Sequence, residues 1–141
     1  MNNAIIIDLD GTLAIMGKRD PYDVSKANEL DSINEAVRII ISSYLKYNEN
    51  NKVIFLTGRP EKYEQNTIGF INRCGFYEYT LFMRLNDDWR KSEIYKKDVY
   101  DNYIKEKFKI DFVMDDNSKV INMFRGLGLI CFALEEKMIE R

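Results

Sequence analysis

Five short, largely apolar runs punctuate this chain, at residues 4–7, 53–56, 79–83, 111–114 and 129–133. Each has the length of a strand. None shows the in–out alternation of a strand with one wet face, so they read as strands buried on both faces of a parallel sheet. Helix-like segments separate them. The first places Ile33, Ala36, Val37, Ile40, Tyr44 and Leu45 on one face, with Ser32-x-x-Glu35 as a capping box. The second runs from Pro60 to Arg73 and stops before Gly75, and the third spans residues 91–108. The fourth follows Asp116 and ends near Gly126 or Gly128, either of which suits a C-cap. Strands alternating with helices predict an α/β fold, a three-layer Rossmann-like parallel sheet of five strands with helices on both faces. The 141 residues fit one domain, 1–141, with no repeat or linker. The polar, irregular piece from Ile15 to Leu30 is expected to form a flap.

The strands end in polar residues, and in such sheets the C-terminal strand ends face the ligand crevice. The first ends in Asp8-Leu9-Asp10-Gly11-Thr12, the second in Thr57-Gly58-Arg59-Pro60 and the fourth in Asp115-Asp116-Asn117. The period of two along a strand puts Asp8 and Asp10 on one side of the chain. One carboxylate is then available to attack phosphorus and the other to move protons. A lysine pair, Lys96-Lys97, lies in the third helix. Nucleophile, proton donor, metal ligands and cations together are the parts of a phosphoryl-transfer site.

Composition narrows the chemistry. The chain has no histidine, which removes His triads, His zinc sites and His bases. A metal must be held mostly by oxygen, which favours Mg²⁺. Cys74 and Cys131, both in apolar contexts, read as reduced core thiols. A net charge of −2 argues against a broad nucleic-acid-coating surface but not against a local phosphate pocket. No apolar run approaches a membrane span and the N-terminus lacks a secretory pattern, so a cytoplasmic setting is expected, that of the host if the chain is viral.

Simpler readings compete at each motif. Asp-x-Asp-Gly also opens calcium loops, but an EF-hand loop starting at Asp8 would need an oxygen ligand, Gly and Glu where Thr12, Leu13 and Arg19 stand. Thr57-Gly58-Arg59-Pro60 also suits a strand-to-helix turn, with Thr as N-cap. Asp115-Asp116 suits helix capping, although two adjacent acids in a crevice repel unless a cation joins them. Arg19 and Arg59 also suit surface ion pairs. The stretch from Arg90 to Lys109 carries seven basic and four acidic residues, the mixture of a solvated helix. Trp89, Tyr95, Tyr100 and Tyr103 suit either base stacking or packing onto the sheet.

The ordered motifs Asp-Leu-Asp-Gly-Thr, Thr-Gly-Arg, a later lysine and Asp-Asp resemble the haloacid dehalogenase superfamily of phosphatases. The stretches 16–23, 90–96 and 112–116 are similar to the 3′-phosphatase domain of phage polynucleotide kinase-phosphatase. The resemblance implies an aspartyl-phosphate on Asp8. It makes Asp10 the proton donor and then the base, with its backbone carbonyl on Mg²⁺. Thr57 would bond the phosphoryl group and Lys96 would neutralise charge; Lys96 rather than Lys97 keeps the family spacing to Asp115. Asp116 would bind the metal, Asp115 beside it, and Asp8 would share it. Arg19, Gly58 and Arg59 would lie on the substrate. One position departs from the family: Ser92 stands where an aspartate is usual, with Glu93 beside it.

Only about twenty residues separate Asp10 from the helix starting near Ser32, too few for a packed cap domain. The site should therefore be open, admitting a polymer end. The expected function is Mg²⁺-dependent removal of 3′-phosphates from DNA or RNA ends. The alternatives are a superfamily phosphatase acting on a small nucleotide or sugar phosphate, and a non-catalytic binding module. The chain has no Gly-x-x-x-x-Gly-Lys-Ser/Thr loop, which excludes a fused kinase; a kinase or ligase partner, if there is one, is a separate protein.

Overall fold

The computed structural model describes residues 1–20 and 22–135. Its centre is a five-stranded, all-parallel sheet of β1 (Asn2–Ile7), β4 (Lys52–Pro60), β5 (Thr80–Arg84), β6 (Phe108–Asp115) and β7 (Cys131–Ala133). The strand order is β5-β4-β1-β6-β7, which places β1 in the middle. The five expected strands are all present.

Burial explains the runs. Ile5 and Ile7 of β1, with Val53 and Phe55 of β4, face one layer; Ala4 and Ile6, with Ile54 and Leu56, face the other. The first layer receives Val37 and Ile41 of α2 (Glu35–Tyr47) and Phe70 and Ile71 of α3 (Glu64–Arg73). The second receives Tyr95 and Val99 of α4 (Ser92–Val99) and Val120, Ile121 and Phe124 of α5 (Ser118–Gly126). Every residue of the runs 4–7 and 53–56 is thus inside, and no alternation survives there in the sequence.

Several boundaries differ from the sequence reading. Ser32 does not cap α2. It pairs with Ile15, so that β2 (Ala14–Ile15) and β3 (Ser32–Ile33) form a small antiparallel ladder, and Asn34 caps the helix by accepting from the Val37 amide. Residues 57–60 are not a capped turn. They extend β4, with Pro60 paired to Arg84 at the edge after a register shift. The third helix ends earlier than residue 108: α4 passes into a π-helical turn over Tyr100–Ile104, and Phe108 opens β6 opposite Asn2. The fourth ends at Gly126, and Gly128 just beyond it takes a φ of +86° that lets the chain reverse.

The segment after β2 is more ordered than its polarity suggests. A 3₁₀ turn (Val24–Lys26) leads into α1 (Ala27–Leu30), and β3 closes the excursion. Arg73 of α3 donates to the Asn28 and Asp31 carbonyls, and Asn66 donates to the Ser25 carbonyl, fixing it onto the body. No helix among the described residues is long and apolar enough to cross a membrane. Cys74 and Cys131 are free and buried, and burial pushes both thiols up to about 11.

Candidate active site

Three strand ends and one helix meet at a pocket of about 540 Å³ lined by Asp8, Asp10, Thr57, Gly58, Arg59, Lys96, Asp115 and Asp116, among others. The expected residues therefore converge, with Arg19 reaching Asp10 from the flap. The two acids of the first motif get there by different routes. The β1–β6 ladder carries through to the Asp8 amide, which donates to the Met114 carbonyl. Beyond it the chain turns: Thr12 and Ala14 amides both donate to the Leu9 carbonyl, and Gly11 takes a φ of +84°. Asp10 is thus aimed by a turn, not by strand periodicity. A Cβ at Gly11 would lie 1.9 Å from Asp116 Oδ2, so the turn and the acid need glycine there.

Asp8 faces the α4 side. Its Oδ1 accepts from Lys96 Nζ at 2.9 Å and its Oδ2 from the Thr12 hydroxyl at 3.3 Å. Lys96 also donates to Asp115 Oδ2 at 2.8 Å, so one buried ammonium bridges two strand-end carboxylates. Asp115 Oδ1 accepts the Asn117 amide. Asn117 then caps α5 by accepting from the Lys119 and Val120 amides. The capping role open to Asp115-Asp116 thus falls to Asn117, which leaves Asp116 to the pocket. Lys97, one residue on, points outward and pairs with Asp101.

Carboxylate oxygens of Asp8, Asp115 and Asp116 lie within 4.8 Å of one another. Three acids against one lysine leave the cluster short of positive charge. Burial raises the Asp8 carboxyl well above the usual carboxylate range; Lys96 opposes this, and Asp115 and Asp116 add to it. Burial also raises Asp116, partly offset by a hydrogen bond with Asp8. Burial would lower Lys96, but Asp8 and Asp115 outweigh it and hold the ammonium charged. Close-set hard oxygen donors with a deficit of cation suit Mg²⁺.

Asp10 faces the opposite flank. Arg59 grips it with two bonds, Nε to Oδ2 at 3.0 Å and Nη2 to Oδ1 at 2.7 Å, and Arg19 adds a third at 3.0 Å. Both guanidinium groups are held in turn by Asp31, which is 3% exposed. Arg59 also donates to the Thr67 hydroxyl. Burial alone would push the Asp10 carboxyl up; the Arg59 hydrogen bonds and the charges of Arg59, Arg19 and Lys96 outweigh it and hold it below its ordinary value. The arginines expected on the substrate are therefore anchored to the protein and orient Asp10.

Thr57 Oγ accepts the Arg59 amide at 3.1 Å, which leaves its hydroxyl proton to donate elsewhere. The Gly58 carbonyl accepts from Arg84 at 3.2 Å, and Arg84 continues to the Asp88 and Arg90 carbonyls. Ser92 lines the pocket; Glu93, beside it, does not. The sequence reading missed Asp31 and Arg84. Arg84 ends β5 much as Asp8 directly follows β1, so the strand-end rule reaches it, whereas Asp31 carries no local signal.

The family of the polynucleotide kinase PNKP phosphatase domain matches residues 2–137. The chain belongs to this family. It is 33% identical over 127 residues to a putative bifunctional polynucleotide kinase/RNA ligase of Autographa californica nuclear polyhedrosis virus, covering 89% of this chain and 18% of the viral protein. A solved Pnkp1/Rnl/Hen1 RNA repair complex contains a chain 36% identical, with a TM-score of 0.88 over 95% of this chain and 42% of that one. A second Pnkp1/Rnl/Hen1 complex gives 34%, 0.89, 99% and 48%. This phosphatase-family chain thus spans less than half the length of these relatives. The HAD domain of the effector Lem4 from Legionella pneumophila, 15% identical with a TM-score of 0.57 over 99% of this chain and 88% of its own, shares the fold. The expected haloacid dehalogenase fold and superfamily both hold.

Proposed function

We propose that this chain is a Mg²⁺-dependent phosphomonoesterase that removes 3′-phosphates from polynucleotide ends, acting as one phosphatase domain. The observation that carries the reading is the division of labour between two carboxylates in one pocket. Asp8 sits beside the acid cluster and Lys96, and Asp10 sits in an arginine clamp.

Asp8 attacks phosphorus, and the bond from phosphorus to the 3′-oxygen breaks as that oxygen takes a proton from Asp10. Water then gives a proton to Asp10 and its oxygen attacks phosphorus, breaking the bond to Asp8 and releasing inorganic phosphate. The arginine clamp keeps Asp10 ionised at rest, the form that accepts a proton. A dianionic phosphate entering the same pocket raises its proton affinity by charge, which prepares the donor form. Thr57 donates to an equatorial oxygen, and Lys96 offsets charge on the phosphate and on Asp8. Asp8, Asp115, Asp116 and the Asp10 carbonyl would hold Mg²⁺, which when bound draws charge from the phosphoryl oxygens.

The polynucleotide substrate is supported by the kinase and ligase relatives and by a pocket without a cap among the described residues. Kinase or ligase activities in those relatives also support such a partner here. The test is phosphate release with Mg²⁺ from a 3′-phosphorylated oligonucleotide, its 5′-phosphorylated isomer and a 3′-mononucleotide. Preference for the first, lost on chelation, is expected. Preference for the mononucleotide moves the substrate to small nucleotide or sugar phosphates.

A further inference from the structure

Among the four aromatic residues between positions 89 and 103, packing accounts for three. Tyr95 is buried, Tyr100 meets Phe124 edge-on at 6.1 Å, and Tyr103 stacks on Phe82 at 5.8 Å. Trp89, the only tryptophan of the chain, is 89% exposed and lines the pocket that holds Asp8. Tyr22, from the flap, lines the same pocket and is 90% exposed. A lone exposed aromatic needs no explanation, but two on one catalytic pocket, from separate segments, do.

The loop carrying Trp89 is built, not slack. Arg84 donates to the carbonyls on either side of it, Asp88 at 3.3 Å and Arg90 at 2.6 Å, while its Nε holds the Gly58 carbonyl of the active-site motif. Arg90 closes the other side, with Nε and Nη2 on the Asp88 carboxylate at 3.0 and 2.8 Å. The backbone flanking Trp89 is thereby tied to the catalytic strand end, and the indole stands in water at the pocket rim. On that rim Lys62 lies over the Tyr63 ring, with no acidic partner among the described residues.

Building on the polynucleotide reading above, we propose that Trp89 and Tyr22 are substrate-holding residues that stack on the terminal nucleobases, with Lys62 on the adjoining backbone phosphate. Every base has a π-face, so such stacking holds any sequence without reading it. It also explains how a pocket without a cap among the described residues keeps a polymer end over Asp8.

The lone tryptophan is its own reporter. Asp8→Asn protein titrated with a 3′-phosphorylated single strand should show quenched tryptophan emission; an abasic strand of equal length, or inorganic phosphate, should not. Trp89→Ala should raise KM for the oligonucleotide by about tenfold or more, with Trp89→Phe retaining most of the affinity. Equal quenching by the abasic strand, or an unchanged oligonucleotide KM in Trp89→Ala, overturns the stacking role while the phosphatase reading stands. Wild-type protein that hydrolyses an aryl phosphate but no oligonucleotide overturns the polynucleotide reading and the stacking role together.

Discussion

Asp8→Asn is expected to lower phosphate release by about ten-thousand-fold or more, with the fold intact. The amide has the size of the carboxylate and keeps an oxygen for Lys96, whose bond at 2.9 Å can persist. It also removes one negative charge from a cluster of three acids whose oxygens lie within 4.8 Å. The melting temperature should therefore hold or rise while turnover disappears. Phosphate release and thermal melting on one preparation separate the two effects. Activity within tenfold of wild type would remove Asp8 from the role of nucleophile.

Lys96→Met should damage both stability and catalysis. Methionine preserves the volume and apolar stem of the buried side chain, so the loss reports the ammonium itself. Asp8 and Asp115 would then face each other with Asp116 and no cation. Breaking a buried pair from one side costs about 3–5 kcal/mol. The melting temperature should fall, and Mg²⁺ should restore part of it by binding only the folded cluster. Turnover should fall by about a hundredfold or more at saturating Mg²⁺, because the phosphoryl charge loses a fixed donor. Wild-type melting without metal would show that the lysine does not hold the cluster together.

What the sequence made legible follows from how local each feature is. The central strands are readable because residues 4–7 and 53–56 are buried on both faces, and no polar residue interrupts those runs. Asp8, Thr57 and Asp115 are readable because strand ends in such a sheet share one edge. Lys96 is readable only through its motif spacing, since nothing in helix periodicity favours it over Lys97. The boundaries that went astray were decided by distant partners. Ser32 was drawn into pairing with Ile15, and Pro60 into pairing with Arg84. Asp31 was invisible for the same reason: its importance lies in two arginines 12 and 28 residues away. The sequence reading put Arg19 and Arg59 on the substrate, and only the geometry shows how firmly they are committed to Asp10.

The division of labour between Asp8 and Asp10 is open to one direct measurement. Asp10→Asn protein is mixed rapidly with an activated aryl phosphate and Mg²⁺, and aryl alcohol release is followed through the first turnover. An activated leaving group needs little proton help, so the first step should proceed, whereas attack by water lacks its base. The expected result is a burst of one aryl alcohol per protein followed by a slow phase, with phosphate retained on Asp8 after acid quench. Linear release with no burst and no labelled Asp8 would contradict a covalent intermediate resolved by Asp10.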